Sequence, residues 1–160
     1  MTEQQFGELI DTHAAALVLY ARSWCASPDD FVQDAFCKLA EQRVPPVDPV
    51  AWLYRVVRNR ALDVGKADRR RARREATAAR PVQWFVEKSI DGLDAEVAVA
   101  ALESLSNEYR EVIVARLWGG LTFEQIALVL GCSVSSAHRR YEAGIHTLQE
   151  RLGEPCQKNP

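Results

Sequence analysis

Apolar positions recur at three- and four-residue steps almost from the start of this chain. Phe6, Leu9, Ile10, Ala14, Leu17, Ala21 and Trp24 fall on one helical face, and Thr2 with Gln5 has the spacing of a capping box. A first helix is therefore expected to run to about Ser23. Ser27-Pro28-Asp29-Asp30 then offers an N-cap, a proline at the first helical position and two carboxylates at the positive end of the helix dipole. Phe31, Ala35, Phe36 and Leu39 supply the buried stripe of that second helix. Pro45, Pro46 and Pro49 break it, and Asp48-Pro49 opens a third, with Leu53, Val56, Val57, Ala61 and Val64 on one face. Three helices are thus predicted by about residue 74.

Between residues 75 and 93 the rhythm fails, apart from a short apolar cluster of Trp84, Phe85 and Val86, and this stretch reads as an interdomain linker. A second helical set is expected from near Asp94, carrying Val97, Ala101, Leu102 and Leu105. Ser106-Asn107-Glu108 caps a helix bearing Val112, Ile113 and Leu117, which Gly119-Gly120 ends. Thr122 with Gln125 is another capping box, opening a short helix with Phe123, Ile126, Ala127 and Leu130 on one side. After the tight turn Gly131-Cys132-Ser133, the last helix places Val134, Ala137, Tyr141, Ile145, Leu148 and Leu152 on one face. No segment reads as a β-strand, so the predicted class is all-α.

Residues 122–146 have the layout of a helix-turn-helix: a short helix, a three-residue turn containing glycine, and a longer helix. At roughly 100° per residue, Ser135, Ser136, Arg139, Arg140, Ala143 and His146 point away from the apolar face. Two arginines and two hydroxyls suit base and phosphate contacts in a major groove. A plain helical hairpin with a solvated outer face would show the same pattern.

Charge sharpens the division. The net charge is only −2, but it is unevenly spread. Residues 1–48 hold three basic and eight acidic groups, residues 49–80 hold ten basic and three acidic, and residues 93–160 hold six basic and nine acidic. A basic block between acidic segments suggests a chain that meets a polyanion at one place and protein elsewhere. Within that block Arg55, Arg58, Asn59, Arg60 and Lys66 accompany the aromatic Trp52 and Tyr54, a combination suited to backbone neutralisation and base stacking. The arginine run over residues 69–74 reads equally as a solvated helix end that favours the negative pole of the dipole. Asp29, Asp30, Gln33 and Asp34 give the second helix an acidic, amide-bearing side, which by itself reads as that of any acidic surface helix.

Other chemistry is sparse. Cys25, Cys37, Cys132 and Cys156 are scattered without a C-x-x-C pair, and His13, His138 and His146 lie near no nucleophile or metal-ligand spacing. Neither an enzyme, a metal site nor a cofactor is expected. No apolar run approaches the roughly 18–20 residues of a membrane span, and the acidic start MTEQQFGELID lacks the pattern of a secretory signal. A cytoplasmic location without membrane insertion is the expectation.

Taken in order, the acidic helix, the basic helix and the helix-turn-helix resemble the sigma-70 family of RNA polymerase sigma factors, and within it the extracytoplasmic-function (ECF) group that keeps regions 2 and 4. SPDDFVQDAF is similar to region 2.2, AWLYRVVRNRALD to regions 2.3–2.4, and LSNEYREVIVARLWGGLTFEQIALVLGCSVSSAHRRYEAGIHTLQERL to region 4. The resemblance implies two small helical domains joined by a linker. These are a region 2 bundle of three to four helices over 1–75, a linker over 76–92, and a region 4 helix-turn-helix domain over 93–153, with a tail at 154–160. It implies that Asp29, Asp30, Gln33 and Asp34 bind the clamp helices of the polymerase largest subunit. Trp52, Tyr54, Arg55, Arg58, Asn59, Arg60 and Lys66 would face the −10 element, although Trp52 is equally suited to the core. Ser135, Ser136, His138, Arg139 and Arg140 would face the −35 element, with region 4 also holding the polymerase flap.

Partners implied are core RNA polymerase, promoter DNA and an anti-sigma factor. The segment after Arg140, Glu142-Ala143-Gly144, is less basic than is usual in the family's recognition helix. Gly144, like Gly65 in the basic helix, is expected to weaken its helix by ~1 kcal/mol relative to alanine. Two other readings remain open from the residues. One is a stand-alone helix-turn-helix regulator, binding DNA as a dimer. The other is a polymerase-binding regulatory module without DNA readout.

Overall fold

The structure, a computed structural model, describes residues 1–25, 27–75 and 95–153, and every regular element among them is an α-helix. In chain order these are α1 (Glu3–Ala21), α2 (Pro28–Ala40), α3 (Pro49–Glu75), α4 (Ala95–Ser104), α5 (Asn107–Leu117), α6 (Phe123–Leu130) and α7 (Val134–Gly153). The stretch expected to be a linker, with Trp84, Phe85 and Val86, lies outside the described residues, as do the tail and Cys156.

Local chemistry sets most of the helix ends. Thr2 Oγ1 accepts from the Gln5 backbone N–H while Gln5 Oε1 accepts from that of Thr2, and Thr122 and Gln125 repeat the arrangement at the start of α6. Asp48 Oδ1 accepts from the Ala51 N–H at 2.9 Å, ahead of Pro49 in the first turn of α3. Gly131 closes α6 in the left-handed region at φ 66°, which costs glycine no Cβ clash. Ser133 Oγ then accepts from the Ser136 N–H at 3.1 Å to begin α7. Two expected caps are corrected: the Ser27 and Ser106 hydroxyls make no cap hydrogen bond. Ser27, at φ −122° and ψ 67°, lies outside the extended conformation that aims a cap side chain at the first turn. α1 stops at Ala21, slightly before Ser23, and Trp24 packs edge-on to Tyr20 with centroids 5.1 Å apart.

The first three helices pack on one another, and so do the last four. The two sets also meet, α3 against α6 and α1 against α5. One apolar core consequently runs from Leu17, Phe36, Leu53 and Val57 through Val112, Val114 and Ile126 to Ala137. A smaller cluster of Leu102, Leu105 and Ile113 holds α4 and α5 against Tyr141, Ile145 and Leu148 of α7. Arg110 fixes the α4–α5 corner: its buried guanidinium donates to the carbonyls of Leu102, Glu103 and Leu105 where α4 ends. Among the described residues no helix is long and apolar enough to cross a membrane.

Candidate nucleic-acid interface

Three surfaces carry the residues singled out in the sequence. On α2, Asp29, Asp30 and Gln33 are exposed in the first two turns, and Asp34 pairs with Lys38 at 2.7 Å. That pair spans one helical turn at the surface, so it contributes only ~0.3–0.5 kcal/mol and leaves two acids on this face unpaired by it. Phe31 turns to the other side, where the Arg60 guanidinium lies 5.8 Å from its ring centroid. The acidic helix thus abuts the basic one.

On α3, Arg55, Asn59, Arg60 and Lys66 are exposed. Arg55, Asn59 and Lys66 fall within about 40° of one another around the helix, whereas Arg60 lies about 100° further round, toward Phe31 of α2. The two aromatic candidates behave differently. Tyr54 is fully buried, its ring 5.0 Å from that of Tyr20, and its expected role in stacking on bases is corrected: it is a core residue. The reason is helical phase, since Tyr54 shares the buried face with Leu53 and Val57. Trp52 is half-buried against the same core.

Arg58 turns inward. Its Nε and Nη2 donate to Glu111 Oε2 and Oε1 of α5 at 2.8 and 3.2 Å, a bidentate pair across the seam between the two helix sets. The Glu111 side chain is 4% exposed and that of Arg58 21%. Burial pushes the Glu111 carboxyl upward, against the opposing pull of Arg58. Burying such a pair sets a desolvation penalty against its attraction. The Tyr20 hydroxyl is buried beside Glu111 and Arg58, the Tyr54 hydroxyl is buried without a hydrogen-bond partner among the described protein groups, and burial raises both phenols. A second link crosses the seam at its other end, where Gln125 Nε2 donates to Asp48 Oδ2 at 2.9 Å.

On α7, Ser135 and Arg139 are exposed, and Arg139 Nη2 donates to Ser136 Oγ at 3.3 Å. His138 lies against the Phe123 ring with centroids 4.8 Å apart and faces Glu142. Arg140 is partly drawn back to Glu108 of α5, at 3.0 Å. The outward face of α7 is therefore led by Ser135, Ser136, His138 and Arg139, with Arg140 tethered at its edge. Between α3 and the α6–α7 turn lies an open groove of about 780 Å³. Arg55, Arg58 and Asn59 form one wall, and Leu128 and Val134, both exposed, stand on the other.

Sequence reasoning passed over Glu111 and Arg110 as structural anchors, and saw Gln125 only as a capping residue and not as the partner of Asp48. The charged pair Arg110-Glu111 directly before Val112-Ile113-Val114 was the available signal, because charges embedded in an apolar run must find partners. Among the described residues no group of three or more His, Cys, Asp or Glu side chains gathers as a metal site.

Known proteins with the same pattern share one description. The family profile described as "Sigma-70 region 2" matches residues 9–75, and that described as "Sigma-70, region 4" matches residues 96–145. The ECF RNA polymerase sigma factor SigL of Mycobacterium tuberculosis is 29% identical over 155 residues, covering 91% of this chain and 88% of SigL. The RNA polymerase sigma factor CarQ of Myxococcus xanthus is 30% identical over 135 residues, 81% of this chain and 76% of CarQ. Among solved structures, the sigma factor RpoE in its complex with the anti-sigma factor NepR from Bartonella quintana superposes with a TM-score of 0.70. It covers 95% of this chain and 98% of RpoE at 24% identity, a likeness of fold.

Proposed function

Because the chain belongs to the sigma-70 family of RNA polymerase sigma factors, in its ECF group, we propose that its three surfaces divide the work of promoter-specific initiation among named residues. A sigma factor is no enzyme: it binds core polymerase and directs it to promoter DNA. The acidic flank of α2, Asp29, Asp30 and Gln33 with Asp34 behind them, docks on the clamp helices of the largest subunit. Arg55, Asn59, Arg60 and Lys66 of α3, joined by Arg58 once it is released from Glu111, line the path of the −10 strand. Ser135, Ser136, His138 and Arg139 of α7 meet the −35 element, and region 4 engages the polymerase flap. Residues 1–75 and 93–153 act as the two functional units, in the cytoplasm where polymerase works. An anti-sigma factor is the expected further partner, as the structurally similar RpoE is found in complex with the anti-sigma factor NepR.

The observation that carries this division is the match between exposure and chemistry. Acids and an amide face out on α2, cations and an amide on α3, and hydroxyls with an arginine on α7. Base edges are read by such donors, and phosphates are met by such cations. Two variants test it, with core binding and transcription start-site choice measured separately. Replacing both Asp29 and Asp30 by lysine is expected to weaken binding to core polymerase about tenfold or more. Arg139→Ala is expected to leave core binding intact and to cost ~1–3 kcal/mol of discrimination at the upstream element. Loss of core binding in Arg139→Ala, with the aspartate variant binding normally, would reverse the assignment.

A further inference from the structure

The arginine run that closes α3 belongs to none of the three surfaces described above. Ala61 is the last fully buried residue of this helix, and Leu62, Val64 and Gly65 are partly covered. From Lys66 on, every side chain described is exposed, Lys66, Arg69, Arg70, Arg71 and Arg74 among them. None of these cations is held in an ion pair with an acidic side chain among the described residues. Asp68 is the only acid in the sequence from 64 to 74.

Forces within the chain account for only part of this segment. Lysine, arginine and alanine are strong helix formers, so propensity carries α3 on past its core contacts. The helix dipole rewards cations only in the last turn, which suits Arg74 but leaves Lys66, Arg69 and Arg70 unexplained. Lys66 with Arg70, and Arg70 with Arg74, are like charges at the four-residue spacing, a repulsion that a polyanion would relieve. Helical phase shows which side is charged. At about 100° per residue, Arg55 and Asn59 lie within ~20° of Lys66, Arg69 and Arg70 within ~60° and Arg74 within ~80°, whereas Arg71 lies ~140° away. One stripe thus runs from Arg55 to Arg74 over ~28 Å at 1.5 Å per residue. That is the length of about eight base pairs of duplex at 3.4 Å each.

We propose that Arg69, Arg70 and Arg74 hold backbone phosphates of the spacer duplex just upstream of the −10 element, without reading its bases. This rests on the −10 role given above to Arg55, Asn59 and Lys66 and extends it along the same stripe. α3 ends at Glu75 and the chain continues to α4, the first helix of the part that meets the −35 element, so the arginine end of α3 is its upstream end. Guanidinium groups meet phosphates through charge and paired N–H donors, which carry no base preference. An acidic protein surface would offer the same sign of charge. A duplex offers a regular row of it, one phosphate charge per ~1.7 Å of axis, and a straight stripe of exposed cations matches such a row. Arg71, on the opposite flank, makes no such contact.

The experiment uses the full chain assembled with core polymerase. Promoter binding is measured against salt concentration for the wild type, the triple variant Arg69→Gln/Arg70→Gln/Arg74→Gln, Arg70→Gln alone and Arg71→Gln, with helix content and assembly on core followed in each. Glutamine keeps helix propensity and removes the charge. The slope of log affinity against log salt is expected to shrink by ~0.9 for Arg70→Gln and by about 2–3 for the triple variant, equally on promoters that differ in spacer sequence. Arg71→Gln keeps the wild-type slope. Neutral methylphosphonates in the spacer next to the −10 element are expected to weaken wild-type binding about tenfold and to leave the triple variant unaffected. Arg70→Gln keeps the test decisive if the triple variant loses helix content. Unchanged slopes in Arg70→Gln and the triple variant, or an equal fall in Arg71→Gln, would overturn the proposal. So would lost assembly on core with the slope retained, which would make the run a protein-binding face. Asn59→Ala, measured alongside, tests the −10 reading separately: unaltered discrimination at that element would strike that reading, whatever the slopes show.

Discussion

Single side chains in this protein are decided by what their neighbours leave to them. His13 on α1 is half-buried with Nδ1 enclosed and without a hydrogen-bond partner. Burial lowers its pKa below the ordinary 6.5, with Asp48 opposing. Between the folded value and 6.5 the unfolded chain therefore binds more protons than the folded one. The stabilisation from a neutral His13 is complete above pH 6.5 and is lost as pH falls from there through the folded value. Urea unfolding between pH 5 and 8 is expected to show this decline in the wild type and a flatter profile in His13→Gln; identical profiles would mean that His13 is fully solvated. Arg58 and Arg140 illustrate the same dependence on neighbours. Both belong to the basic residues visible in the sequence, yet Glu111 and Glu108 claim them in the folded chain. Local spacing cannot announce partners that lie 53 and 32 positions away.

At the scale of helices, periodicity and caps were readable because each depends on residues within about four positions. The Thr2–Gln5 and Thr122–Gln125 boxes, the proline at the head of α2 and the left-handed Gly131 all stand where short-range chemistry puts them. Tyr54 and Gly144 were not readable, because their settings are made by other helices. Gly144 is an expected weak point of α7 on propensity alone, but in the fold it is buried, and a Cβ there would lie 2.8 Å from Ile113 Cδ1 and 3.1 Å from Tyr109 Cβ. Its lack of a side chain is what lets α7 approach α5. At Gly65 the nearest atom to such a Cβ is the Trp24 carbonyl oxygen at 3.5 Å, an ordinary contact. Gly65→Ala is accordingly expected to stabilise the protein by up to ~1 kcal/mol through helix propensity. Gly144→Ala is expected to destabilise it by ~1 kcal/mol despite the same gain, because overpacking costs more. Chemical denaturation of the two variants decides the matter, and equal stabilisation by both would mean that the α5–α7 contact is loose.

For the whole molecule, the all-α class and the order of acidic helix, basic helix and helix-turn-helix could be read from the sequence. The packing of the first helix set on the second could not. That packing rests on α3 meeting α6 and α1 meeting α5, contacts with no local signature beyond charges set in an apolar run at Arg110-Glu111. The central claim is that this chain gives core polymerase its choice of promoter. Run-off transcription on a pool of promoter fragments, by core polymerase with and without the protein, tests that claim most directly, with DNA binding by the protein alone measured in parallel. Defined start sites that appear only when the protein is present, with weak binding by the protein alone, are the predicted result. Tight autonomous DNA binding without new start sites would contradict it and leave a stand-alone helix-turn-helix regulator.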